Sequence, residues 1–80
     1  MTVEKSLAEI EVGTEAEVLE LVGGHGFQSR LRALGIVEGT ILRMLSRVGM
    51  GGPVIVLANR AQVAIGKGMA RRVLVRSKVG

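Results

Sequence analysis

The segment "GGHGFQSRLRALGIVEGT", residues 23–40, decides the fold because a helical pattern lies between two glycine-containing turns. Phe27, Leu31 and Leu34 are spaced i, i+4 and i+7, which puts them on one face of a helix opposite a polar face. Gly35 follows at the position where a left-handed C-cap residue is expected. The segment therefore predicts a short α-helix over residues 27–34, with sharp glycine corners on either side.

Short apolar segments before and after this helix predict five strands. The first, "TEAEVLELV", changes the phase of its alternation between Val18 and Leu19, which is typical of a strand with a β-bulge or of a strand covered on both faces. The predicted strands cover residues 14–22, 40–48, 54–58, 61–65 and 72–76. Before the last strand, "GKGMA" is long enough only for a single 3₁₀ turn. This order predicts a mainly β protein, a small and partly open barrel.

Length and composition indicate one small domain, residues 1–80, with an aliphatic core. Apolar residues make up 48% of the chain, but it has one Phe and no Trp or Tyr. The absence of Cys excludes disulfides and thiol chemistry and is typical of a reducing compartment, so we expect a cytoplasmic protein. The longest uncharged run, residues 48–59, is far shorter than the ~20 apolar residues of a membrane span. The N-terminus does not resemble a signal peptide.

Charged residues are distributed unevenly along the chain. All seven carboxylates precede Gly39, whereas eight of the eleven Lys and Arg residues follow it. This pattern predicts either an acidic and a basic side or two halves that neutralise each other on folding. A basic side would suit nucleic acid, anionic lipid or an acidic protein. Single-strand nucleic-acid binders stack bases on aromatic side chains, and Phe27 alone offers such a surface, so nucleic acid is disfavoured as a partner.

His25 is the candidate metal ligand, since neutral imidazole binds divalent transition metals. A metal site needs several converging donors, and the carboxylates of "EIEVGTEAEVLE", residues 9–20, have no spacing that brings them to His25. We therefore expect His25 to be a turn residue and expect no cofactor. Fe²⁺ binding through His25, including a metal contact between two copies, is the alternative.

No combination of residues predicts catalysis. The four serines lie outside nucleophile motifs, and one histidine with N-terminal glutamates cannot supply a base and its orienting partner. The glycines before the helix lack the Lys-Ser/Thr pair of a P-loop and simply permit a tight corner. The sequence predicts a binding protein and not an enzyme.

The helix and the turn after it are the candidate binding surface. A barrel this small cannot hide every apolar side chain, and the helix carries both apolar and basic residues. The alternative is that the apolar face is simply buried core. Self-association into a weak homo-oligomer is also open. The predicted partner-binding residues are Phe27, Arg30, Leu31, Arg32, Leu34 and Ile36.

The order of these motifs resembles the ferrous iron transport protein A (FeoA) family over about residues 7–75. "SLAEIEVG" is similar to the family's opening motif, and residues 23–40 are similar to its glycine turn, "RLxxLG" helix and following "GT". "GGPVIV" and the terminal "AxxVLV" continue the match. Glu38 replaces a frequent proline, Gly52 replaces a frequent aspartate, and glycines flank Lys67, changes that loosen turns.

The resemblance implies an SH3-like β-barrel, in agreement with the predicted strands. It also implies a cytoplasmic accessory protein of bacterial ferrous iron uptake that contacts the cytoplasmic G-protein region of the membrane permease FeoB. Such a protein would modulate transport or assembly without carrying iron, and its partner would recruit it to the inner face of the membrane. A nucleic-acid-binding barrel and a stand-alone relative of the FeoA-like domain of metal-dependent repressors are the alternatives.

Overall fold

Six antiparallel strands form one curved sheet in the computed structural model, which describes residues 1–78. The strand order across the sheet is β1-β6-β2-β3-β4-β5. No helix of the described residues is long and apolar enough to cross a membrane. The elements are β1 Thr2–Ser6, a 3₁₀ turn Leu7–Glu9, β2 Glu15–Leu21, α1 His25–Ala33, β3 Ile41–Arg47, β4 Val54–Ala58, β5 Ala61–Ile65, α2 Lys67–Ala70 and β6 Val73–Lys78.

One aliphatic core fills the inside of the curved sheet. Strand β4 shows how it is built, because Val54, Val56 and Ala58 point inward and are at most 2% exposed. Leu7 of the 3₁₀ turn and Leu31 of α1 are fully buried and close the core from outside the sheet. The fold is the small, mainly β barrel that the strand pattern predicts, and it agrees with the SH3-like barrel that the resemblance implies.

Two β-bulges bend the long strands. In β2 the pairing with β6 shifts between Val18 and Glu20, which confirms the bulge predicted from the change of phase. In β3 the pairing with β4 shifts between Met44 and Ser46, an irregularity that the sequence did not reveal. Because a bulge increases the local twist and bend of a strand, both help the sheet to curve around its core.

The predicted count of five strands was wrong, since β1 adds a sixth. Strand β1 pairs along its whole length with β6, and Thr2 lies opposite Lys78. The sequence "TVEKS" is mixed in polarity because the strand lies at an edge and is only half covered. Its partner is at the other end of the chain, so no local pattern signals the pairing.

The helical elements also differ from their predicted bounds. Helix α1 begins at His25, two residues before the predicted start, and ends at Ala33. The "GKGMA" segment is an α-helical turn and not a 3₁₀ turn, because the Ala70 N–H donates to the Gly66 carbonyl at 2.9 Å. This wider turn carries the Ala70 side chain into the core, where it is fully buried.

Candidate partner-binding surface

The start of α1 is fixed to the end of β2. The Gln28 Nε2 donates to the Leu21 carbonyl at 3.2 Å and to the Gly23 carbonyl at 3.1 Å. The Phe27 ring packs directly on Gly23, where a Cβ atom would lie only 2.5 Å from the ring Cδ2. Gly23 is therefore required for close packing at the predicted strand-to-helix corner. Its role is steric, because Gly23, Gly24 and Gly26 do not have the positive φ expected of glycines at this corner.

The end of α1 is a Schellman motif. The Ile36 N–H donates to the Leu31 carbonyl at 2.9 Å and the Gly35 N–H to the Arg32 carbonyl at 2.9 Å. Gly35 has φ +84°, which confirms the predicted left-handed C-cap. The Asn59 Nδ2 then donates to the Gly35 carbonyl at 2.9 Å, so the turn between β4 and β5 holds this end of the helix in place.

Leu31 and Ile36 belong to the core and not to the surface. Both are 0% exposed, and they occupy the two positions that form the hydrophobic contact of a Schellman motif. The prediction that these two residues face a partner is therefore wrong. Helical spacing identified the apolar face of α1 but could not show how far the barrel covers it.

Three of the predicted residues form a row along the exposed flank of α1. At about 100° per residue, Phe27, Arg30 and Leu34 fall within a sector of about 60°. Phe27 is half-buried, Leu34 is 41% exposed and Arg30 is exposed. Arg32 lies on the other flank, with its Nη2 3.8 Å from the Glu38 Oε1. Arg30 therefore lies beside the apolar side chains of Phe27 and Leu34, and Arg32 does not.

Two residues that the sequence did not predict extend this row. The Arg72 guanidinium carbon lies 5.9 Å from the centroid of the Phe27 ring, within cation–π range. Val22 is 50% exposed, and its N–H donates to the Arg72 carbonyl at 2.7 Å. We name Val22, Phe27, Arg30, Leu34 and Arg72 the α1 patch. Arg72 is far from the other four residues in the sequence, and the pairing of β2 with β6 brings it beside them.

Ion pairs neutralise the outer face of the sheet. Arg43 lies 3.2 Å from Glu15, and Arg76 lies 3.9 Å from Glu4 and 4.0 Å from Glu17. Basic residues of the second half thus neutralise part of the acidic first half, one of the two outcomes predicted from the charge pattern. The cations that form no ion pair within residues 1–78 include Arg30, Arg60, Lys67, Arg71 and Arg72.

Arg47 and His25 lie outside the α1 patch. The Arg47 guanidinium donates to the carbonyls of Ala8 and Ile10, so it ties β3 to the N-terminal 3₁₀ turn. His25 is exposed as the first residue of α1. In the part of the chain that the structure describes, no three His, Cys, Asp or Glu side chains are placed to share a metal ion. Binding of Fe²⁺ at His25 would thus lack a set of three such ligands from residues 1–78.

The fold and the α1 patch define a small SH3-like barrel with an exposed patch of apolar and basic side chains. The FeoA domain family matches residues 5–77, and the chain belongs to this family. The Putative Fe(2+) transport protein A of Methanocaldococcus jannaschii is 33% identical over 69 residues, which are 86% of this chain and 82% of the relative. These findings confirm the resemblance seen in the sequence.

Solved structures share the same architecture. A crystal structure of an iron uptake regulatory protein (FeoA) is 33% identical, with a TM-score of 0.86 over 95% of this chain and 99% of that one. The solution structure of FeoA from Chlorobium tepidum is 28% identical, with a TM-score of 0.84 over 94% and 71%. A manganese-dependent transcriptional repressor at 22% identity has a TM-score of 0.86, but the match spans 98% of this chain and 44% of that one. The repressor shares the fold alone.

Proposed function

We propose that this chain is a non-catalytic accessory protein of ferrous iron uptake that binds the cytoplasmic G-protein domain of a FeoB-type permease. Membership of the FeoA family and the name of the archaeal relative support a role in ferrous iron transport. In this proposal the protein acts in the cytoplasm, and its partner recruits it to the membrane. Its contribution is a docking surface that modulates the permease, and iron passes through the permease alone.

The α1 patch is the observation that carries this proposal. Phe27 and Leu34 present apolar surface beside Arg30 and Arg72, and neither arginine forms an ion pair within residues 1–78. Aromatic side chains and arginine are enriched at protein interfaces, where Phe27, Arg30 and Arg72 would supply them and Leu34 would add apolar area. Both ends of α1 are tied to the barrel, so docking would cost little conformational entropy.

The test is calorimetric titration of the isolated FeoB cytoplasmic region with the wild type and two matched variants. We expect Leu34→Glu to weaken binding by at least about tenfold, because it replaces an apolar contact with a carboxylate that an acidic partner would repel. Ile41→Glu makes the same change at a residue that is 58% exposed on β3, outside the α1 patch, and should bind like the wild type.

Two results would contradict the proposal. The first is absence of wild-type binding at low salt, where the basic patch attracts an acidic partner most strongly. The second is an equal loss of affinity in Leu34→Glu and Ile41→Glu. Retention on DNA or RNA with a steep salt dependence, combined with no FeoB binding, would favour the nucleic-acid alternative instead.

A further inference from the structure

The two edges of the sheet are protected to different extents. Strand β1 carries Glu4 and Lys5, and charged side chains are a common way to keep an edge strand from pairing with another chain. Strand β5 at the opposite edge reads "AQVAI" and contains no charged residue and no proline. Its outer edge therefore lacks the charged side chains and the proline that commonly prevent strand addition.

The hairpin geometry leaves hydrogen-bonding groups free on β5. Asn59 and Arg60 form a two-residue turn with φ +52° and +67°, as in a type I′ turn, so the flanking Ala58 and Ala61 are a hydrogen-bonded pair. Pairs alternate along an antiparallel ladder, so the N–H and C=O groups of Gln62 and Ala64 point away from β4. No other strand of the described residues pairs with β5.

The side chains around this edge leave room for a further strand. Gln62 and Ala64 are exposed, and Ala64 is too small to screen the backbone beside it. Leu57, which lies opposite Gln62 on β4, is 37% exposed and offers apolar surface next to the edge. A neighbouring strand would lie about 4.8 Å from β5, where its side chains could cover Leu57 and Ala64.

We propose that β5 binds an extended segment of a partner protein as an additional strand. The partner segment has an uncharged centre and carboxylates near its ends. Arg60 precedes β5 and Lys67 follows it, and neither forms an ion pair within residues 1–78. Antiparallel pairing with β5 of a second copy would instead bring each Arg60 beside the Lys67 of the other copy, and like charges in that position repel. The charges therefore favour an acidic peptide over self-association.

This inference does not rest on the FeoB proposal, because none of its groups belongs to the α1 patch. The probe is a blocked heptapeptide of alternating Val and Thr with Glu at both ends, and the control peptide has Lys at both ends. In NMR titrations of the ¹⁵N-labelled chain, we expect the Glu-ended peptide to shift the Gln62 and Ala64 amides and to slow their hydrogen exchange. The β1 amides should not change.

Variants of the chain separate backbone pairing from charge. Ala64→Pro removes an outward N–H and no ladder bond, so it should abolish peptide binding. If that variant fails to fold, the double variant Arg60→Glu, Lys67→Glu should still weaken binding by about tenfold or more. Lys5→Glu, a charge reversal on β1, should leave it unchanged.

Three results would overturn the proposal. They are no shift at Gln62 and Ala64 with millimolar peptide, equal binding of the Lys-ended peptide, and dimerisation of the free chain with the same two amides shifted. The last result would assign the β5 edge to a second copy of the chain. Binding of the Glu-ended peptide combined with no FeoB binding would support this inference and contradict only the proposed function.

Discussion

Leu31 in α1 and Leu34 at its C-cap should lose very different amounts of stability when each is truncated to Ala. Leu31 is 0% exposed, so Leu31→Ala leaves a cavity and should lower the free energy of unfolding by about 2–5 kcal/mol. Leu34 is 41% exposed, and Leu34→Ala should cost about 1 kcal/mol or less because little buried surface is lost. A chain of this size has a total stability of roughly 4–12 kcal/mol, so only the Leu31 variant comes near global unfolding.

The assay is thermal and urea unfolding followed by far-UV circular dichroism, because the chain has no Trp or Tyr for fluorescence. At about 4–8 °C per kcal/mol, Leu31→Ala should lower Tm by roughly 8–40 °C and Leu34→Ala by less than about 8 °C. Binding to the FeoB cytoplasmic region should show the reverse order, with loss of affinity in Leu34→Ala and retention in the folded Leu31→Ala. Equal losses of stability would refute the assignment of Leu31 to the core and Leu34 to the surface.

Two further stability predictions concern the backbone. Arg60 has φ +67°, a conformation that strains any residue with a Cβ. The free energy of unfolding of Arg60→Gly, measured by urea titration, should therefore be about 0.5–1 kcal/mol higher than that of Arg60→Ala. The reverse order would show that the turn relaxes around Ala. A Cβ on Gly52 would overlap the Val48 carbonyl oxygen, so Gly52→Ala should destabilise the fold by at least about 1 kcal/mol. A Cβ on Gly68 in α2 would meet open space, so Gly68→Ala should stabilise the fold by about 0.5–1 kcal/mol. Equal effects of Gly52→Ala and Gly68→Ala would contradict the close packing at Gly52.

Features encoded in a few neighbouring residues could be predicted from the sequence. The bulge in β2 appears as a change of phase at Val18, and the end of α1 appears as Gly35 after the last apolar helical residue. The signal for each lies within a few residues, in the hydrophobic spacing of β2 and in the conformational preference of Gly35, even though the bulge itself is formed against the distant strand β6.

Features that depend on distant pairing could not be predicted. Strand β1 exists only because β6 lies beside it, and Arg72 reaches Phe27 only because β6 also pairs with β2. The same reason explains the error at Leu31. A helical wheel gives the direction of a side chain, but the curvature of the sheet decides which directions meet protein and which meet water.

The pairing of the sheet also determines how the net charge of +4 acts at a distance. Glu4, Glu15 and Glu17 lie against arginines on the outer face, so that face contributes little to the field beyond a Debye length. The remaining positive charge includes Arg30 and Arg72 in the α1 patch and the cations at the two ends of β5. An acidic partner is therefore attracted toward these surfaces and away from the neutralised face. This orientation raises the association rate at low salt without requiring a strong ion pair in the final complex.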